Sequence, residues 1–231
     1  MSAPDRTLLS EEFCQKYPLL LVHLEEVLEN NKITNLTGIK DIEAGKVLHI
    51  EDSLAVYEEL NKAPTGKIAD LGSGAGYPGI PLAIVSGRET LLVESNKKKA
   101  AFLERFIKKH GLDKQISVAP IRSEELAETN KNEYSVVITR AVSALPTILE
   151  LCTPLVSNAG HIIAMKGALE SSELEGGNKA AQILGLVLRE NRDYTIGPDN
   201  SNRCVLVYEK IAESEIMLPR RPGMALKRPL A

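Results

Sequence analysis

The stretch ADLGSGAGYPGIPLA, residues 69–83, holds two overlapping glycine patterns, Gly72-x-Gly74-x-Gly76 and Gly74-x-Gly76-x-x-Gly79. Both put small residues where a strand turns into a helix, so that backbone can approach a ligand lying at the helix N-terminus. The first suggests a sulfonium cofactor and the second a dinucleotide. Glu94, at the end of TLLVES, serves either one, because an acid there accepts hydrogen bonds from ribose hydroxyls. Asp70 separates them. It stands two residues before Gly72, beside the place where a dinucleotide would put its pyrophosphate, and a carboxylate there repels each phosphate by roughly 1 kcal/mol in water and more inside a pocket. S-adenosylmethionine (AdoMet) brings an ammonium and a sulfonium instead. Pro78 and Pro81 point the same way, since they remove N–H donors that a phosphate would use. The loop predicts AdoMet.

Such a loop needs a sheet to carry it. From Lys67 onward, short β-branched runs (KIADL, TLLVES, ISVAPI, YSVVITR, GHIIAMKG) alternate with helical patterns such as KKKAAFLERFIKKHG and ALPTILELCTPLV. Strand and helix in alternation predict an open, mostly parallel sheet covered on both faces. A weaker strand near DYTIG and a last one over RCVLVYEK, residues 203–210, bring the expected total to seven. Upstream, apolar residues recur at helical spacing from about Leu8 to Leu28, and a second helical stretch runs from about Glu43 to Leu60, separated by the turn-rich NNKITNLTGIKD. The expected organisation is an N-terminal helical region over 1–64, a cofactor-binding core over 65–210 and a basic tail over 211–231.

Bulk properties narrow the class. The chain has 231 residues and a formal charge of −3, with 43% hydrophobic and 26% charged residues, which suits a globular enzyme or binding domain rather than a disordered or coiled-coil chain. Its three cysteines, Cys14, Cys152 and Cys204, have neither disulfide-framework nor metal-knuckle spacing, so no metal is expected. No apolar run reaches the roughly 18 residues of a membrane helix, and the protein is read as cytoplasmic and monomeric. Charge is uneven. Residues 1–66 hold six Lys/Arg against twelve Asp/Glu, whereas LPRRPGMALKRPLA carries Arg220, Arg221, Lys227 and Arg228 and no acid.

ADLGSGAGYPGIPLAI, LLVESNKKKAAFLERF, RSEELA, VVITRAVSALPTILELCTPLV and AMKG follow one another as in the glucose-inhibited division protein B family. The resemblance extends to NKITNLTGI and HIEDSL upstream and to LPRRPGMALKRPL at the end. It implies a Rossmann-like class I AdoMet-dependent methyltransferase with an N-terminal helical extension, acting on N7 of a guanine in bacterial 16S ribosomal RNA. It also implies a cofactor pocket using Gly72, Gly74, Gly76 and Tyr77 from the loop, Ser123 and Glu124 after the third strand, and Arg140 after the fourth, beside Asp70 and Glu94. Arg122 and Arg203 join Arg140 as residues that position RNA or cofactor. Lys166 in AMKG is expected on the RNA with Arg220, Arg221, Lys227 and Arg228.

Arg140 carries two readings. An isolated guanidinium beside a cofactor is costly unless something anionic holds it, so it either touches the cofactor carboxylate or an RNA phosphate, or it pairs with Asp70 or Glu94. His49 and Asp52 match a family segment, but Leu48 stands where a basic residue is expected, which weakens any RNA contact there. Guanine N7 offers a lone pair and carries no proton, so attack on the sulfonium methyl needs positioning and electrostatics rather than a base. The alternatives are a methyltransferase for another acceptor and a non-catalytic AdoMet-binding module of ribosome assembly. The exocyclic-amine signature is missing, since TRAVSALP follows the fourth strand. Cys152 lies within a predicted helix, which argues against a thiolate nucleophile.

Overall fold

A computed structural model describes residues 12–231. Five strands run parallel: β1 (Ile68–Leu71), β2 (Thr90–Val93), β3 (Ile116–Ala119), β4 (Tyr134–Arg140) and β5 (Val156–Lys166). β6 (Leu186–Ile196) and β7 (Ser201–Lys210) complete a seven-stranded sheet of order β3-β2-β1-β4-β5-β7-β6, in which β7 is antiparallel to both neighbours. β1 lies inside the sheet between β2 and β4, and all four of its residues are buried, as a run covered on both faces should be. Register sets the site. Leu71 pairs with Val93 and Thr139, so Gly72, Glu94 and Arg140 leave the sheet along one edge. Because the order reverses between β1 and β4, that edge is the switch point where open α/β sheets bind ligands.

The helices are α1 (Leu19–Thr34), a continuous run α2 made of Ile42–Gly45, a π-helical Lys46–Glu51 and Asp52–Leu54, then α3 (Tyr57–Lys62), α4 (Gly79–Ser86), α5 (Lys97–Lys109), α6 (Ser123–Thr129), α7 (Leu145–Cys152), α8 (Ser171–Ile183) and α9 (Met224–Lys227). In α5, Asn96 caps the N–H groups of Lys98 and Lys99, while Ala100, Phe102, Leu103, Phe106 and Ile107 turn inward. α1, α4 and α5 pack one core against the sheet around Ile80, Leu92, Leu103 and Phe106. On the other face α7 and α8 pack against β4, β5 and β7 around Leu149, Ile162, Leu184 and Tyr208.

Three expectations change. α1 runs on through Asn30–Thr34 into what reads as a turn, because Asn30 and Thr34 bond back to the carbonyls of Glu26 and Asn30, and it stops at left-handed Asn35. The stretch over 43–60 is not one helix but α2 and α3, broken at Ala55–Val56. The weak strand near DYTIG is the end of the 11-residue β6, whose alternating exposed polar residues hid it. Leu8 and Leu9, expected to open the first helix, lie outside the described residues.

Candidate active site

Two cavities open along the strand-end edge. The first, about 210 Å³ and open to solvent, is lined by Leu71, Gly72, Glu94, Ile121, Arg122, Ser123, Glu124, Val142, Thr147 and Leu151, with Gly223, Ala225 and Leu226 from the tail. Glu94 holds the glycine loop in place: its Oε2 accepts the Gly74 N–H at 2.9 Å and its Oε1 accepts the Asn96 N–H at 2.6 Å. Gly72 takes φ +76°, and a Cβ there would stand 2.7 Å from Val142 Cγ2. Apolar walls at Leu71, Ile121, Val142 and Leu151 flank two carboxylates, Glu94 and Glu124, a lining suited to a nucleoside.

The second cavity is lined by Leu48, Asp52, Arg140, Ala141, Met165, Lys166, Tyr194 and Arg203. Asp52 is its hub: its Oδ2 accepts from Arg140 Nη1 at 2.9 Å, its Oδ1 accepts the Tyr194 hydroxyl at 2.9 Å, and Arg203 Nε lies 3.7 Å away. Arg140 also donates to the Leu48 carbonyl at 3.1 Å and to His49 Nδ1 at 3.3 Å. Burial and the Arg140 charge push His49 down to about 3, so the ring is neutral, with Nε2 facing Thr37 Oγ1 at 2.9 Å. The cavities share one wall. Arg140 and Ala141 face the second while Val142 and Ser143 face the first, and Ala141 turns the chain at φ +54°, an unusual value for a residue with a side chain. Lys166 Nζ pins this wall by donating to the Ser143 carbonyl at 2.6 Å.

Several expectations are corrected by this geometry. Asp70 does not line the crevice: fully buried beneath the loop, it accepts the Gly79 N–H at 3.0 Å, and burial raises it to about 7. Tyr77 is also internal, its ring stacked on His49 at 4.3 Å and tilted against His23 at 4.6 Å. Gly76 serves packing, since a Cβ there would meet Ile80 Cδ1 at 2.6 Å. Arg140 is paired, but with Asp52 rather than Asp70 or Glu94. Arg122 and Arg203 do not share a crevice: Arg122 lines the first cavity and Arg203 the second. Lys166 is matched by Glu173 at 2.7 Å. Arg220 is no free arm, because it forks onto Glu150. Arg221, Lys227 and Arg228 are exposed. Ser123 and Glu124 reach the crevice as expected, and burial raises the Cys152 thiol far above its usual range.

Sequence reasoning missed Tyr194, Thr147 and the tail residues of the crevice wall. Tyr194 lies outside the stretches that carry the family resemblance, and Thr147, Gly223, Ala225 and Leu226, though inside them, reach their places by long-range packing that only the fold reveals.

A family model described as rRNA small subunit methyltransferase G (GidB) matches residues 16–194. The ribosomal RNA small subunit methyltransferase G of Alkaliphilus metalliredigens is 32% identical over 91% of this chain and 89% of its own length. That of Halalkalibacterium halodurans is 36% identical over 89% of this chain and 87% of its own. Among solved structures, geranyl diphosphate C-methyltransferase from Streptomyces coelicolor A3(2), in complex with Mg2+, geranyl diphosphate and S-adenosyl-L-homocysteine, matches with a TM-score of 0.51 at 14% identity, over 68% of this chain and 79% of that one, a likeness of fold. The match along most of the chain, on a sheet of methyltransferase topology, places this protein in the rRNA small subunit methyltransferase G family.

Proposed function

We propose that the protein transfers the methyl group of AdoMet to N7 of a guanine in 16S rRNA of the bacterial small ribosomal subunit. The observation that carries this reading is the shared wall Arg140–Ser143, which sets an apolar, carboxylate-bearing crevice back to back with a cavity holding Arg140, Lys166 and Arg203. The crevice suits a nucleoside cofactor and the cationic cavity suits the edge and phosphates of an acceptor nucleotide.

When bound, AdoMet supplies an electrophilic methyl group. Glu94 is placed to accept from the ribose hydroxyls, since Oε2 spends one lone pair on the Gly74 N–H, Oε1 spends one on the Asn96 N–H, and each keeps another. Gly72 lets backbone come close. On the acceptor side, the Arg140 fork is fixed by Asp52, Leu48 and His49, so it meets the RNA without reorganising. The nucleophile has a free lone pair, and the groups nearest the wall suit that: His49 is neutral and occupied at both nitrogens, and Cys152 is a buried thiol.

The test uses methyl-labelled AdoMet with 16S RNA or small subunits from a strain lacking the enzyme, followed by cleavage at 7-methylguanine. Label at one guanine N7 is expected. Absence of label on both forms, with AdoMet binding intact, would overturn the acceptor and leave another substrate or a non-catalytic module.

A further inference from the structure

The C-terminal segment has the charge of an RNA-binding arm but not the contacts of one. Three of its residues, Gly223, Ala225 and Leu226, form a wall of the cofactor crevice, and it is fastened there at three points. Arg220 forks onto both oxygens of Glu150 at 2.7 and 2.5 Å and donates to the Arg228 carbonyl at 2.8 Å, closing the segment on itself. Glu150, on α7, is 3% exposed. The Gly223 N–H donates to Glu124 Oε1 at 2.8 Å, and the Thr147 hydroxyl donates to the Ala225 carbonyl at 3.0 Å. Glu124 and Thr147 both line the crevice.

We infer that residues 219–228 are a strap that completes the nucleoside end of the crevice, and that Glu150 and Arg220 are a positioning pair setting cofactor affinity from outside it. The inference rests on reading the crevice as the AdoMet site. A buried carboxylate is held in place only by a well-matched cation, and an arginine fork bonded to both oxygens fixes direction as well as charge. Arg220 thereby sets the path of the chain three residues later, at Gly223, whose φ of +79° turns the segment into α9. Leu226, 68% exposed on the crevice rim, is held there by this turn. An apolar side chain kept open to water at the mouth of a nucleoside-sized crevice gains cover when a base enters.

The probes are AdoMet and adenosine, titrated by calorimetry into the full chain and into Arg220→Gln, Thr147→Val and the double variant E150Q/R220Q, which leaves no buried charge unpaired and guards against a folding defect. The Kd for AdoMet is expected to rise about tenfold in Arg220→Gln and about threefold in Thr147→Val, the range of one or two lost hydrogen bonds. Adenosine should weaken by the same factors, because the strap faces the nucleoside. KM for AdoMet should rise with kcat at saturation within about twofold, and the Kd for RNA should not move. Folded variants with unchanged AdoMet and adenosine affinity would overturn the strap. So would weakened RNA binding with intact cofactor affinity, which would return the segment to the RNA. Wild-type protein that binds no AdoMet would instead overturn the reading of the crevice itself.

Discussion

Glu94 accepts the Gly74 N–H through one carboxylate oxygen and the Asn96 N–H through the other, so the acid that faces the crevice also ties the glycine loop to the end of β2. Glu94→Gln turns an amide nitrogen toward one of these donors. AdoMet affinity by calorimetry should fall about tenfold, the size of one charge-assisted hydrogen bond. An unchanged Kd would move the ribose elsewhere.

Arg140→Ala strips Asp52 of its closest cation and leaves Arg203 at 3.7 Å. Breaking a buried pair usually destabilises by about 3 to 5 kcal/mol, so with one cation remaining we expect about 2 kcal/mol in urea denaturation. Arg140→Lys should recover part of that stability but little methyl transfer, because a single ammonium cannot reproduce the fork to Leu48, His49 and Asp52. Full activity in the lysine variant would reduce Arg140 to a counter-charge.

The pH dependence has two opposed parts. Burial holds His23 and His49 at about 3, so below 6.5 the unfolded chain takes up protons that the folded one refuses. Stability therefore drops as the pH falls from 6.5 toward 3, on the order of 1.4 kcal/mol per pH unit for each histidine. Asp70, raised to about 7 by burial, acts the other way: its contribution is complete below 3.8 and is lost as the pH rises through 7. His49→Gln should flatten the fall of a urea-midpoint profile below pH 6.5, and Asp70→Asn should remove the opposing loss between about pH 4 and 7. Parallel profiles for wild type and both variants would contradict the assignment.

Arg221, Lys227 and Arg228 remain exposed on the strap. Replacing all three with Gln should lower the slope of log K for RNA against log salt by about 2, somewhat under one unit per phosphate contact, and leave the AdoMet Kd alone. An identical slope would place these side chains off the RNA.

The glycine loop, the alternating strands and the switch-point edge are local patterns, and all were legible in the sequence. Glu94 was legible as an acid at the crevice, because strand-end position alone puts it there, but not as the acceptor of the Gly74 and Asn96 N–H groups. Asp70 was legible as an acid at the loop but not as one beneath it, since its direction depends on Gly79, where a Cβ would lie 2.6 Å from the carboxylate. The tail misled for a similar reason. Its four basic residues and lack of acids read as a solvated arm, while the acid that answers Arg220 lies 70 positions earlier inside α7. An RNA contact from the HIEDSL segment was doubted because Leu48, just before His49, is not basic, yet the structure uses Leu48 through its carbonyl, an atom every residue has.

One carboxylate, Asp52 on α2, is bonded to Arg140 at the end of β4 and to Tyr194 on β6, with Arg203 on β7 close by. A boundary drawn at residue 64 thus cuts through the contacts of a single carboxylate. A fragment beginning there would keep the glycine loop and every strand and still lose the anion that links β4, β6 and β7 at their shared cavity. The helical region is thus tied to the sheet through the same carboxylate that holds Arg140 in place.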